Sequence, residues 1–226
     1  MEFIERLSPN HDERPAGTPV DMLVIHYTGM QSFDDALDRL ADPAAKVSAH
    51  YAIGRDGVIY RMVAEDQRAW HAGVSSWRGH TDINGRSIGI ELENKGHEYG
   101  YENFADAQMS ALIGLCREIL ARHPIPSRNV VGHSDVAPTR KEDPGEKFDW
   151  ARMAAAGIGL WPDPIDREVA LTPCDFLYGL IKFGYDLTDE AGAFRAFHRR
   201  FRPMDVDGPV NADSLAVLES LLQIYE

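Results

Sequence analysis

The segment GHSDVAPTRKEDPG, residues 132–145, combines residue types that could do chemistry together with a divalent metal. It contains His133, the pair Arg140 and Lys141, and Asp143 directly before a proline. A neutral imidazole and a carboxylate are metal ligands, and a nearby cation can act on a polarised substrate. A surface loop needs no such mixture. The segment therefore predicts part of a metal site, provided that further ligands exist elsewhere in the chain.

A third ligand candidate is His26, which follows the apolar run MLVI. MLVIHYT (residues 22–28) and NVVGH (residues 129–133) are both typical of buried strands, and each carries its histidine near the carboxyl end. Sites of α/β sheets usually lie at that end of the strands. Two imidazoles and one carboxylate leave a fourth position for water, as in catalytic zinc sites. Each residue alone also has an ordinary explanation, as a backbone-bonded histidine or a turn aspartate.

A further strand, SIGIELEN (residues 87–94), carries two carboxylates on one face, Glu91 and Glu93. Such a pair is either solvated or functional. If that face meets the metal, one glutamate can take a proton from the metal-bound water. His50 in VSAHY and His71 in AWHAG are candidates for the same cleft, or for orienting the ligands from behind.

The elements that must position these residues alternate between strand and helix patterns. SFDDALDRLAD and FADAQMSALIGLCREILARH have helical spacing of apolar residues, and VSAHYAIGRDGVIYRMV predicts a hairpin around Arg55, Asp56 and Gly57. The predicted fold class is α/β, with a mixed central β-sheet flanked by helices.

The C-terminal part of the chain has a different pattern. Two prolines between residues 161 and 169 predict a linker, and three short helical patterns follow. Apolar residues share one face in the last two patterns: Phe194, Phe197 and Phe201, then Leu215, Leu218, Leu221 and Leu222. Asn211 is placed to cap the last helix. We therefore expect a catalytic domain over residues 1–165 and a small three-helix domain over residues 166–226.

Composition argues against several classes of partner. The 226-residue chain has a formal charge of −13, and its basic residues are scattered along the sequence. Nucleic acids and anionic membranes bind basic patches, so this distribution disfavours both as partners. Cys116 and Cys174 are too few for a disulfide framework, and Cys116 is expected to be a buried thiol. No signal sequence or membrane span is recognisable, so a cytoplasmic location is expected, or a periplasmic one if a signal has been removed.

Five segments in the same order closely resemble the type 2 N-acetylmuramoyl-L-alanine amidases, zinc enzymes related to peptidoglycan recognition proteins. The resemblance covers about residues 20 to 152 and is carried by VIHYTG, VSAHYAIGRDGVIYRMV, RAWHAGVSSWRG, NGRSIGIELEN and VVGHSDVAPTRKEDPGEKFDW. This combination is hard to obtain by chance.

The resemblance implies a role for each candidate residue. Zinc would be held by His26, His133 and Asp143, with Glu91 as the catalytic carboxylate and Lys141 as the cation that stabilises the oxyanion. The implied reaction is hydrolysis of the amide between muramic acid and L-alanine in peptidoglycan fragments. His50 and His71 would be substrate-binding residues of the pocket. Trp70 and Trp77 would stack on the sugar or fill space, and packing is the favoured role of these two aromatic side chains.

The C-terminal residues resemble, more weakly, the three-helix peptidoglycan-binding module. DLTDEAGAFRAFHRRF and DGPVNADSLAVLESLL carry this second resemblance. Whether the module binds wall material or only supports the first domain is not decided by the sequence. The chain is expected to act as a monomer on muropeptides, without nucleic acid or membrane as partner.

The cluster of candidate residues has three alternative interpretations. The first is an amidase, acting either on cytoplasmic muropeptides during wall recycling, including 1,6-anhydro forms, or on periplasmic peptidoglycan. The second is a non-catalytic recognition protein, whose relatives typically lose the last zinc ligand. The third is a structural metal or none. The presence of Asp143, Glu91 and Lys141 favours the amidase, and recycling is preferred because no export signal is seen.

Overall fold

The computed structural model of the chain describes residues 2–164 and 170–225. Its strands are β1 (Ile4–Glu5), β2 (His11–Glu13), β3 (Met22–Tyr27), β4 (Tyr51–Ile53), β5 (Ile59–Arg61), β6 (Gln67–Ala69), β7 (Ser87–Leu92) and β8 (Val130–Gly132). Its helices are α1 (Phe33–Ala41), α2 (Ile83–Arg86), α3 (Gly96–Tyr99), α4 (Asp106–Arg122), α5 (His133–Val136), α6 (Trp150–Ala155), α7 (Pro173–Phe183), α8 (Glu190–Phe201) and α9 (Ala212–Tyr225).

Within these residues, six strands form a mixed sheet in the order β1-β5-β4-β7-β3-β8. β4 and β5 pair antiparallel across the predicted Arg55–Gly57 turn, where Gly57 has a φ of 85°, a region that favours glycine. β7 is parallel to both β4 and β3, and β3 is parallel to β8, so their carboxyl ends meet at one edge. The predicted α/β class with a mixed sheet and the predicted hairpin are confirmed.

Alternation along β3 sends its side chains to two different cores. Leu23 and Ile25 share one cluster with the buried face of α4, which includes Cys116. Burial raises the pKa of the Cys116 thiol, and this is the buried free cysteine expected from the sequence. Met22 and Val24 belong to the second cluster, on the opposite face of the sheet. His26 follows with the same parity, so it points to this second face.

The C-terminal helices α7, α8 and α9 cover the second face. Phe197 and Phe201 of α8 are buried in the same cluster as Val24 and Val131 of the sheet. Burial of one such aromatic side chain contributes roughly 2 kcal/mol. The helices therefore share a continuous core with the sheet. The boundary expected between residues 165 and 166 lies outside the described residues.

The third C-terminal helix begins as the sequence predicts. The Asn211 side chain accepts a hydrogen bond from the Ser214 backbone at 3.1 Å, which satisfies one of the free N–H groups in the first turn of α9. Leu215, Leu218 and Leu221 are buried, and Leu222 packs against them. In the described part of the chain, no helix has the length and apolar character required to cross a membrane.

Candidate metal centre and active site

Three predicted ligands meet at the carboxyl edge of the sheet. β3 and β8 pair with Ile25 opposite Gly132, which places the next residues, His26 and His133, side by side. His26 Nδ1, His133 Nδ1 and Asp143 Oδ2 lie 3.0 Å from one another. All three side chains are buried, so the cluster is enclosed by protein. The structure thus brings together residues separated by up to 117 positions in sequence.

The loop that carries Asp143 is held close to the start of α5. Ser134 N–H donates to the Asp143 carbonyl oxygen at 2.8 Å. Gly132 allows this approach, because a Cβ atom there would lie 2.7 Å from Cδ of Pro144. The aspartate is therefore fixed by the backbone of the same segment that supplies His133.

A chain of hydrogen bonds sets the tautomer of His26. Ser87 Oγ donates to the Ile83 carbonyl at 2.6 Å, so it accepts from His71 Nε2 at 3.1 Å. His71 Nδ1 is then an acceptor, and His26 Nε2 donates to it at 3.0 Å. A neutral His26 therefore carries its proton on Nε2, and the lone pair of Nδ1 points into the cluster.

The strand beneath this chain has small residues where His71 packs. Ser87, Gly89 and Glu91 alternate on the face of β7 that also bears His26 of the neighbouring strand. A Cβ atom at position 89 would lie 2.5 Å from Cγ of His71. Glycine at this position is what lets the His71 ring reach His26.

His133 is oriented by a backbone carbonyl. Its Nε2 atom lies 3.2 Å from the Ala72 oxygen, which accepts the proton and leaves Nδ1 free. Arg140 donates to the same oxygen at 2.6 Å and also to the Val74 oxygen. Arg140 therefore ties the loop after β6 to the segment that carries the ligands.

The electrostatics of the cluster match the needs of a cation. Burial and the neighbouring His133 lower the pKa of His26 to about 4, so this ring is neutral at physiological pH. Burial raises the pKa of Asp143, but the adjacent imidazoles of His133 and His26 outweigh burial and hold this pKa well below its usual range. Metals bind deprotonated ligands, and the shifted pKa values favour that state for His26 and Asp143.

Three converging acceptor atoms repel one another unless a positive charge lies between them. Ligands about 2.0–2.1 Å from a tetrahedral zinc ion are separated by about 3.3 Å, close to the spacing seen here. The donor set of two imidazoles and one carboxylate leaves a fourth position, and these residues fit a catalytic zinc ion. His26, His133 and Asp143 are the residues that would hold it.

Glu91 lies beside this cluster. β3 and β7 pair with His26 opposite Glu91, so both side chains point to the same face. Glu91 Oε2 is buried with no hydrogen-bond partner in residues 2–164 and 170–225. Burial and then the charge of Asp143 raise the pKa of Glu91 well above its ordinary value, while Lys141 acts in the opposite direction. A carboxyl group with a raised pKa is suited to proton transfer near neutral pH.

The second glutamate of the strand has a different role. β7 ends at Leu92, and Glu93 accepts a hydrogen bond from the Arg55 backbone at 2.7 Å. Glu91 lines the pocket and Glu93 does not. The structure thus separates the two carboxylates between which the strand pattern could not choose.

The pocket above the cluster is a cavity of about 410 Å³, which is within the usual range for small-molecule sites. Lys141 lines it, and no ion pair or hydrogen bond engages its ammonium group in the described ranges. Trp70 forms part of the wall, with its indole Nε1 bonded to Asp12 at 3.1 Å. The cavity therefore offers a free cation, an unpaired carboxyl group and an aromatic ring around the cluster.

His71 is also at the pocket wall, but both of its ring nitrogens have protein partners. His50 and Trp77, by contrast, are buried and do not line this cavity. His50 accepts from Gly89 N–H at 2.9 Å through Nδ1 and lies outside the cavity. Trp77 is 1% exposed and packs edge-on against Phe183, which is the space-filling role.

Sequence reasoning missed several supporting groups. Ser87 and Gly89 orient His71, and Arg140 holds the loop at Ala72. The signal for the first two was present as small residues alternating with isoleucine in SIGI. No sequence signal pointed to a backbone carbonyl as the partner of His133.

Three buried groups that could hold a metal ion lie beside a carboxyl group and a lysine at the carboxyl edge of an α/β sheet, which is the arrangement typical of hydrolytic metalloenzymes. The profile of the N-acetylmuramoyl-L-alanine amidase family matches residues 16–146, more than half of the chain. The chain belongs to this family.

Individual relatives agree with this assignment. N-acetylmuramoyl-L-alanine amidase AmiD of Escherichia coli is 38% identical over 97% of this chain and 88% of its own length. The 1,6-anhydro-N-acetylmuramyl-L-alanine amidase AmpD of Citrobacter freundii is 39% identical over 66% of this chain and 86% of its own length.

Solved structures extend the likeness to the whole chain. AmiD from E. coli, in complex with the substrate anhydro-N-acetylmuramic acid-L-Ala-D-γ-Glu-L-Lys, has a TM-score of 0.82 at 37% identity, covering 94% of this chain and 93% of that one. AmpDH3 from Pseudomonas aeruginosa, in complex with anhydromuramic pentapeptide, has a TM-score of 0.83 at 33% identity, covering 97% and 98%.

Proposed function

We propose that this protein is a zinc-dependent amidase that hydrolyses the bond between N-acetylmuramic acid, or its 1,6-anhydro form, and L-alanine in peptidoglycan fragments. The observation that carries the proposal is the convergence of three buried acceptor atoms, 3.0 Å apart, beside the unpaired carboxyl group of Glu91. The names of AmiD and AmpD, and the muropeptides in the two solved complexes, support the substrate class.

Each proposed group has a distinct part in the reaction. Zinc, when bound, supplies Lewis-acid activation of water and of the substrate carbonyl. Glu91 accepts the proton of the attacking water and returns it to the departing amine of L-alanine, a transfer that its raised pKa favours. Lys141 donates to the carbonyl oxygen as negative charge develops on it.

The side chains that line the cavity support a sugar–peptide substrate. Trp70 offers an apolar ring surface on one wall, suited to packing against a sugar. Arg39 and Lys95 line the same cavity and supply positive charge for carboxylates of the stem peptide. We therefore place the scissile amide between Glu91 and Lys141.

The test is mass spectrometry of products after incubation of purified protein with an anhydro-muropeptide, with and without a chelator. Release of free peptide and anhydro-sugar that stops with chelator and returns with zinc is expected. Binding of the muropeptide without cleavage, in zinc-loaded protein, would instead make this a recognition protein.

We also propose wall recycling as the setting, with soluble muropeptides as the preferred substrate. The comparison that tests it is the rate on anhydro-muropeptide against the rate on intact sacculi. Preference for sacculi would move the activity to the periplasmic wall, where the C-terminal helices would be expected to bind peptidoglycan. Loss of sacculus binding in a variant altered on the exposed face of α7, for example Tyr178→Ala, would then identify the binding surface.

A further inference from the structure

The C-terminal helix α8 reaches the segment that carries the metal ligands through a buried arginine. Arg200 is 2% exposed, and its Nη1 donates to Asp135 Oδ2 at 2.8 Å. Its Nη2 donates to the Val130 carbonyl at 2.9 Å. One guanidinium group therefore bridges the last strand of the sheet and the helix that begins with His133.

Asp135 connects this arginine to the ligand itself. The same Oδ2 atom accepts from Gly132 N–H at 2.8 Å, one residue before His133. The other oxygen, Oδ1, accepts from the hydroxyl of Tyr185 at 2.6 Å. Asp135 is 1% exposed, so its charge is balanced by buried partners from the C-terminal part of the chain.

A second arginine of the same helix lies next to the other end of the ligand segment. Arg199 Nη2 donates to Glu142 Oε1 at 3.3 Å, one residue before Asp143. Glu142 is half exposed, so this pair is screened by solvent and is weaker than the buried one. Consecutive arginines of α8 thus contact both ends of residues 133–143.

We propose that α8, with Tyr185, positions the metal-ligand segment, so that zinc affinity in the N-terminal part depends on the C-terminal helices. This inference rests on the proposed function, in which His133 and Asp143 hold zinc. Arg200 and Tyr185 are positioning residues: they fix Gly132 and Asp135 on either side of His133, and do not touch the ligands. A buried ion pair whose charges would be costly unpaired selects one arrangement of the two elements it joins.

The inference changes the expected role of the C-terminal helices. A separate wall-binding module would be joined to the catalytic domain by an exchangeable surface, whereas Arg200 lies between the sheet and α8 and also stacks 4.3 Å from the Trp150 ring. A change that weakens this contact is expected to disturb the position of His133 more than the positions of the residues in the pocket wall.

The experiment uses the full chain with Arg200→Lys, which keeps the charge but cannot bridge Asp135 and the Val130 carbonyl. Arg202→Lys, at the residue directly after the same helix, is the matched control, because the hydrogen bonds and ion pairs of Arg202 in the described residues go to residues 198–214. Zinc dissociation constants are measured by competition with a chromophoric chelator, at a temperature where circular dichroism shows each metal-free variant folded.

Arg200→Lys is expected to raise the zinc dissociation constant about 10-fold, the usual scale for a group that supports a metal ligand, and Arg202→Lys to leave it within about 2-fold. Hydrogen exchange of the backbone amides at residues 132–136 in metal-free protein is expected to speed up in Arg200→Lys and not in Arg202→Lys. If Arg200→Lys does not fold, Tyr185→Phe removes one bond to Asp135 and takes its place.

Unchanged zinc affinity and unchanged exchange in folded Arg200→Lys would overturn the inference. Equal losses in Arg200→Lys and Arg202→Lys would overturn it too, since they would reflect general destabilisation. If the wild-type chain binds no zinc, the proposed function fails by itself. The exchange comparison, which needs no metal, then still decides whether α8 holds the ligand segment.

Discussion

Replacing His71 by leucine should weaken zinc binding, although His71 is not one of the three ligands. The His26 ring can bind metal through Nδ1 only while its proton is on Nε2, where His71 accepts it at 3.0 Å. In metal-free His71→Leu protein, the ring can take the other tautomer and donate from Nδ1 to Asp143, which lies 3.0 Å away. The loss of His71 therefore destabilises the metal-bound state and weakens zinc binding.

The size of the effect follows from the burial of His26. The side chain is 1% exposed, so a proton left on Nε2 without an acceptor finds no water to replace His71. An unsatisfied buried donor costs about 1–3 kcal/mol. At about 1.4 kcal/mol for each factor of ten, the zinc dissociation constant should rise by about 10- to 100-fold.

The assay is chelator competition at neutral pH on wild type, His71→Leu and His71→Asn. The asparagine side chain can place its oxygen near the position of His71 Nδ1 and should recover most of the affinity, while leucine should not. Zinc binding by folded His71→Leu with the wild-type constant would refute the tautomer argument. Equal weakening in both variants would show that the ring fills space and does not orient His26.

Four other changes test the site. Asp143→Ala should lose stoichiometric zinc in metal analysis, because two histidines remain; a full complement of zinc would remove Asp143 from the ligand set. Glu91→Gln should keep zinc but lower kcat about 100- to 10 000-fold, whereas Glu93→Gln should do neither. Lys141→Met should lower kcat about 100- to 1000-fold with zinc retained, and unchanged kcat would exclude it as the oxyanion donor. Burial lowers the pKa of His50 from 6.5 to about 3, so below pH 6.5 the unfolded chain binds a proton that the folded chain does not, and stability decreases as the pH is lowered. In urea unfolding between pH 6.5 and about pH 5, the wild type should lose about 1.5 kcal/mol more of its free energy of unfolding than His50→Gln does.

The convergence of His26, His133 and Asp143 could be predicted because metal binding restricts the residue type. A histidine at the end of an apolar strand is unusual enough to be noticed at both His26 and His133, and parallel pairing then brings the strand ends together. Asp143 was marked by its position before a proline and glycine in the same segment. Such signals concern one residue and its immediate neighbours, and a single sequence contains them.

The distinction between His71 and His50 was beyond the sequence pattern. Both lie near the hairpin and both are buried, yet His71 contacts His26 while His50 bonds the Gly89 backbone from the side away from the pocket. Which of two nearby histidines faces the ligands depends on the path of the loop before it. That path is fixed by tertiary contacts such as Arg140 to the Ala72 carbonyl.

The groups that support the site are less restricted in residue type than the groups that would bind the metal. His133 needs some acceptor for its Nε2 proton, and a backbone carbonyl at Ala72 serves without any constraint on the residue type. Arg200, 65 positions away in sequence, supplies the cation beside Asp135.

The apolar faces of α8 and α9 predict that these helices are buried, but periodicity does not identify the surface against which they pack. The same pattern would serve a free three-helix bundle or, as found here, one layer of a shared core. A charged residue such as Arg200 within that apolar face is therefore informative, because burying its charge costs free energy unless a partner of opposite charge is held next to it. A guanidinium group at a position that periodicity assigns to the core predicts a contact between elements, and here that contact is with Asp135, two residues from His133.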